Sequence, residues 1–177
     1  MNSLLRRVAP LAAAAALLAA ASTAWYAQAE AAPDAKSSPA PDAKSVERGR
    51  YLARIAGCND CHTPGYAENG GKVDEKLWLT GDRLGWQGPW GTTYPSNLRL
   101  VLAKYSENQW VQVAKSAQYR PPMPWFALHD MTEADLRAFY RFVRWLGPAG
   151  EPAPAYVAPG RAAAGPVVAF PSPPAAK

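Results

Sequence analysis

At 177 residues the chain has room for one domain of ordinary size, and its two cysteines exclude a disulfide framework. The formal charge of +5 is scattered along the chain without a basic run, which excludes the electrostatic footprint of a nucleic-acid binder.

Residues 1–29 have the form of a secretory signal. Arg6 and Arg7 precede an apolar run from Val8 to Ala21, and Ala27-Gln28-Ala29 supplies a small-residue cleavage site. The run is short and weakly hydrophobic for a membrane span, so cleavage after Ala29 is expected, with an uncleaved anchor as the alternative. Loss of Arg6 and Arg7 lowers the formal charge from +5 to +3. Residues 30–44 repeat Pro-Asp-Ala-Lys at 33–36 and 41–44 and read as a low-complexity spacer. The folded unit is expected over 45–147. Residues 148–177 form a Pro/Ala-rich tail in which Tyr156, Val157, Val167, Val168 and Phe170 are the residues able to pin it to the domain.

Within the folded unit, Ser45 is placed to cap a first helix running to Ile55, interrupted by Gly49, which costs stability relative to alanine and calls for close approach of another helix. That helix delivers the chain into Cys58-Asn59-Asp60-Cys61-His62, which holds both cysteines and one of the two histidines. A Cys-x-x-Cys-His run reads as a covalent haem attachment site. Two thiols one helical turn apart face the same way and can add across two vinyl groups, and the next residue supplies a nitrogen to iron. Three other readings stand beside this one. A thioredoxin-like pair wants a βαβ context, a zinc site needs about four ligands and would have to recruit His129, and a disulfide across three residues closes too small a loop to stabilise much.

Residues 63–104 are rich in glycine, tryptophan and turn signals without a sustained period, and read as irregular loops. Trp78, Trp86, Trp90 and Tyr94 are more rings than such loops need, and a buried porphyrin would give them something to pack against; an ordinary aromatic core is the alternative. Ser106 and Gln109 form a capping box for a helix to Ala117, with Trp110, Val113 and Ala114 on one face. Thr132 opens a last helix, with Asp135 in the capping position, an apolar stripe of Leu136, Phe139, Tyr140, Val143 and Leu146, and a Gly147-Pro148 stop. No segment reads as a strand, so the expected class is mainly α.

A haem iron with His62 on one side leaves Met123, Met131 and His129 for the other. Met123 lies in Pro121-Pro122-Met123-Pro124-Trp125, where prolines stiffen the backbone and hold the thioether on a helix-free loop. Met131 is placed to staple the following helix. His129 would give a bis-histidine site of lower potential, and an open position is the remaining alternative.

Residues 45–147 resemble the single-haem class I cytochromes c of bacterial periplasms. The resemblance is carried by the Val46-x-Arg48-Gly49-x-Tyr51-Leu52 lead-in to the Cys58-x-x-Cys61-His62 motif, by Gly91 to Leu98, and by Met123-Pro124-Trp125 followed by Met131 to Leu136. It implies a small all-α fold around one covalent haem, a loop-rich middle, and first and last helices crossing at Gly49 against the Phe139–Tyr140 region. It also implies His62 and Met123 as axial ligands and a periplasmic location. The Tyr94–Asn97 loop looks like that of cytochrome subunits attached to dehydrogenases, where Asn-Ile-Thr often stands in place of Asn97-Leu98-Arg99.

The expected function is single-electron transfer in a respiratory chain by a carrier that is not itself an enzyme. Dehydrogenases would be donors, and oxidases or other cytochromes acceptors; neither nucleic acid nor, once the signal is cleaved, membrane is a partner. Trp90, Tyr94, Asn97 and Arg99 are candidate haem-pocket residues. Lys72, Lys76, Lys115 and Arg120 are candidates to steer an acidic partner. The alternatives are a permanent haem subunit of a dehydrogenase or oxidase complex, its tail wrapping a neighbour, and a haem or thiol enzyme.

Overall fold

A computed structural model describes residues 42–171. The signal expected over 1–29 and most of the spacer expected over 30–44 lie outside the described residues. Six α-helices are present among the described residues: α1 Ala43–Ile55, α2 Cys58–His62, α3 Leu98–Leu102, α4 Glu107–Ser116, α5 Trp125–Asp130 and α6 Glu133–Leu146. Three short strands accompany them: β1 Gly85–Gly88, β2 Gly91–Thr93 and β3 Val167–Ala169. The fold is small and mainly α. No helix among the described residues is long and apolar enough to cross a membrane.

Helix α1 begins three residues before the expected start. Its cap is Asp42, whose carboxylate accepts from the Ser45 backbone N–H at 2.9 Å, so Ser45 lies inside the first turn. The helix packs on α6 at Gly49. A Cβ at Gly49 would lie 2.2 Å from the Ala138 carbonyl oxygen and 2.5 Å from Phe142 Cβ. The expected close approach is therefore present, but its point is Ala138 and Phe142 rather than Phe139–Tyr140. Around this crossing Val46, Leu52 and Ala53 of α1 are buried with Leu136, Phe139, Phe142 and Val143 of α6. Each large apolar side chain removed from water contributes roughly 1.5–3 kcal/mol.

The remaining helices seal that core. Ser106 and Gln109 form the capping box of α4. Trp110, Val111 and Ala114 are its buried residues, so the inward face is turned from Val113 towards Val111. Trp110 Nε1 donates to Leu136 O at 3.0 Å, satisfying the one polar atom of a buried indole. Thr132 caps α6 by accepting from the Asp135 N–H at 3.1 Å, and Gly147 ends it. Its buried stripe includes Leu136, Phe139, Tyr140 and Val143 as expected, and adds Ala138 and Phe142.

The strands correct the expectation of loops alone. Strands β1 and β2 pair antiparallel across the Pro89-Trp90 turn, and β3 from the tail pairs parallel with β1, giving the order β2-β1-β3. Segments of three or four residues show no period of two, and β3 finds its partner some eighty residues upstream, so nothing local announces the sheet. The tail is pinned by the residues expected to do so. Val167 and Val168 stand in β3, Val157 exchanges both backbone hydrogen bonds with Thr92, and Phe170 packs against Trp86 and Trp90.

Candidate functional site

Helix α2 consists of the motif itself, Cys58 to His62, entered through Gly57 in a left-handed conformation. Cys58 and Cys61 are one turn apart, both half-buried and not bonded to each other. Burial pushes the Cys58 thiol up to about 12 and raises that of Cys61 as well, with Asp60 acting in the same direction on both. Thiols held protonated in this way lack the depressed pKa of a disulfide oxidoreductase.

His62 is buried, and burial holds its pKa below the ordinary imidazole value. Its Nδ1 lies 2.7 Å from the Ser96 carbonyl oxygen. A carbonyl can only accept, so the neutral ring carries its proton on Nδ1 and keeps the Nε2 lone pair for another bond. This is the arrangement in which a protein orients a histidine that ligates a metal.

Backbone ties hold the surroundings of this imidazole in place. Gly81 N donates to His62 O at 2.8 Å, and Asp82 N to Pro95 O at 3.1 Å. Leu79, fully buried, sits at φ +60°, a left-handed conformation unusual for a leucine. Its N–H donates to Thr63 Oγ1 at 2.8 Å, while its carbonyl accepts from Leu98 N at 3.0 Å. Strain of this kind persists only where the surroundings over-determine it. Here it joins the end of the Cys-His segment to the start of α3.

Met123 and Met131 are treated differently by the fold. Met131 packs against the hydrophobic core, and Met123 does not belong to it. Met123 is half-buried on the loop between α4 and α5, where its N–H donates to Arg120 O at 3.3 Å and its carbonyl accepts from Trp125 N at 2.9 Å. Thr93 Oγ1 donates to Pro121 O at 2.8 Å, so the residue that ends β2 holds this loop. Three residues on, Ser96 holds His62. His129 packs against Trp125 in a tilted contact with 5.0 Å between centroids, and its Nε2 lies 3.1 Å from Ala117 O.

The other candidates are gathered on residues 90–99, but mostly with duties of their own. Asn97 caps α3 and donates through its amide to Ala149 O at 2.8 Å and Glu151 O at 3.1 Å. Arg99, buried, gives its guanidinium to the carbonyls of Lys76, Leu146 and Gly147, which closes the C-terminal end of α6. Tyr94 OH reaches Ala164 O at 3.4 Å. Trp90 alone retains a free polar atom, since its Nε1 is buried without a partner. Trp78 proves to be ordinary core, edge-on to Tyr66 and Phe142 with its Nε1 donating to Val73 O. Of the four cations expected to steer a partner, Lys115 is bound to the carbonyls of His129 and Met131, and Arg120 stacks over Tyr156. Lys72 and Lys76 remain exposed. The roles of Ser96, Thr93 and Leu79 were not visible in the sequence, since each acts through backbone or a single hydroxyl.

This donor set can hold a haem covalently through Cys58 and Cys61 and ligate it through His62, with Met123 as the methionine outside the core. Two buried side-chain nitrogens lack a partner among the described residues, Trp90 Nε1 and, within the motif, Asn59 Nδ2. Among the described residues no three His, Cys, Asp or Glu side chains gather as a protein-held ion requires. Comparison with protein-family models, with curated proteins and with solved structures finds no match to this chain.

Proposed function

We propose that the protein is an exported class I c-type cytochrome that carries single electrons, with haem joined to Cys58 and Cys61 and ligated by His62 and Met123. The observation that carries this reading is the bond from His62 Nδ1 to Ser96 O at 2.7 Å. It prepares Nε2 of a buried, neutral imidazole as a ligand in the residue directly after two unpaired thiols. When bound, the haem supplies a one-electron couple, at a potential that a methionine ligand raises relative to a second histidine.

The chain's own residues do the rest. Helix α2 presents the two thiols from consecutive turns, and the Ser96 carbonyl fixes the imidazole. With His62 and Met123 both committed, the reading leaves no position for substrate, which favours a carrier over an enzyme. The raised thiol pKa values disfavour a thiol oxidoreductase. Parts of the tail pair with their own domain, through Val157 and through β3.

The test is a denaturing gel of the exported protein stained for haem, with mass spectrometry of the peptide spanning Cys58 to His62. Haem that survives denaturation, and a peptide heavier by one haem, are expected. Bare thiols or a zinc adduct on that peptide would overturn the reading.

A further inference from the structure

We propose that Tyr156 is a positioning residue for Met123: the tail crosses back over the sheet and uses this one ring to clamp the loop that carries the methionine. The inference rests on the reading of Met123 as an axial ligand.

Tyr156 is 39% exposed, so burial of its ring in the core does not explain it. What it makes instead are two directed contacts. Its hydroxyl donates to Trp90 O at 2.8 Å, which fastens it to the turn between β1 and β2. Its ring lies under the Arg120 guanidinium, with 3.9 Å from the guanidinium carbon to the ring centroid. Arg120 and Met123 close one turn, since the Met123 N–H donates to Arg120 O. The ring therefore holds the residue that opens the turn ending at the methionine.

The tail is built to bring Tyr156 to this place. Val157 exchanges hydrogen bonds with Thr92 at 2.8 and 3.0 Å. At Gly91 any side chain would lie 2.3 Å from Val157 O and 3.0 Å from the Tyr156 ring. Only glycine admits the strap so close. On the other side of the turn, Thr93 holds Pro121. Clamped at Arg120 and at Pro121 from the same sheet, the loop has little freedom to carry Met123 away.

Loss of a cation–π contact of this kind should raise the population of the detached loop by about 2- to 30-fold. The experiment uses the full-length, haem-loaded protein and compares wild type with Tyr156→Leu, Tyr156→Phe, Arg120→Gln and Met123→Ala. Carbon monoxide binding to the reduced protein reports the freed position, the sulfur-to-iron band of the oxidised protein reports Met123 directly, and urea unfolding reports the fold. Tyr156→Leu and Arg120→Gln are expected to bind carbon monoxide about 2- to 30-fold faster than wild type, with a weakened sulfur-to-iron band. Tyr156→Phe, which keeps the ring, should restore most of the wild-type behaviour. Were Tyr156→Leu not to fold, Arg120→Gln, at an exposed position, carries the comparison. Unchanged carbon monoxide binding in Tyr156→Leu and Arg120→Gln, beside rapid binding in Met123→Ala, would overturn the clamp and leave the ligand assignment standing. An unaltered band in Met123→Ala would overturn the ligand assignment, and the clamp with it.

Discussion

The imidazole of His62 and the main-chain carbonyl of Ser96, 34 residues apart, meet at 2.7 Å. The contact decides the tautomer of the ring, because the carbonyl accepts and Nδ1 must donate. It also survives any change of the Ser96 side chain, since only backbone is used. In the reduced, diamagnetic protein the His62 Nδ1–H should give a slowly exchanging proton resonance that persists through neutral pH. A resonance lost to rapid exchange with water would mean that the ring is not held by Ser96.

The α1–α6 crossing is specified at one atom. Gly49→Ala places a methyl against the Ala138 carbonyl and Phe142 Cβ, both parts of the opposing helix that cannot swing aside. Overpacking of this kind costs typically about 1–3 kcal/mol. The expected result is a lower urea midpoint with an unchanged slope, while Lys44→Ala on the exposed start of the same helix leaves the midpoint within error.

That crossing shows how far the sequence could be followed. Gly49 announced a close approach because a glycine inside a helix needs a reason, but periodicity gives a face of α6, not a residue, and the contact falls on Ala138 and Phe142. Caps were readable at Ser106 and Thr132, while at α1 the cap fell on Asp42 rather than Ser45 because both residue types can cap. The sheet was not, because β1 and β2 are too short for alternation and β3 is parallel to a strand far upstream. The aromatic surplus of Trp86 and Trp90 was real, yet Phe170 of the tail accounts for much of it. The five residues of the motif are consecutive, so their placement on one short helix was legible. The support beneath it was not, because Ser96 offers a carbonyl, which every residue has.

An acid-sensitive tie joins α4 to α6. Glu107 accepts from Arg141 through both oxygens, at 2.8 and 2.9 Å, and from Arg137 at 3.3 Å. Burial would lift this carboxyl, but the Arg141 and Arg137 guanidiniums hold it below its ordinary value of 4.5. A carboxyl depressed in the folded state stabilises above its unfolded-state value, and the contribution drains away as pH falls through the lower folded value. Glu107→Gln should cost about 1 kcal/mol at neutral pH, discounted for the exposure of the pair. Between pH 4.5 and the acid transition its stability should fall less steeply than that of wild type. Parallel curves of stability against pH for the two proteins would show that the tie does not contribute.

Two methionines flank α5: Met131 packs against the core and Met123 does not. Met131 is partly buried and packs against the core, so Met131→Ala removes apolar contact and should lower stability by about 1–2 kcal/mol. Under the proposed ligation its sulfur is not the one on iron, so the sulfur-to-iron band should persist. Met123 contributes nothing to that interior, and its loop is fastened by Thr93 through Pro121 rather than by its own side chain. Met123→Ala should therefore leave the urea midpoint of the haem-free chain close to wild type, yet abolish the band and open the reduced protein to carbon monoxide. The crossed pattern separates a ligand from a core residue, because either variant serves as the control for the other. A band lost in Met131→Ala and kept in Met123→Ala would reverse the assignment. Absence of the band from the wild type itself would move the ligand to His129, which would first have to leave the Ala117 carbonyl and its contact with Trp125.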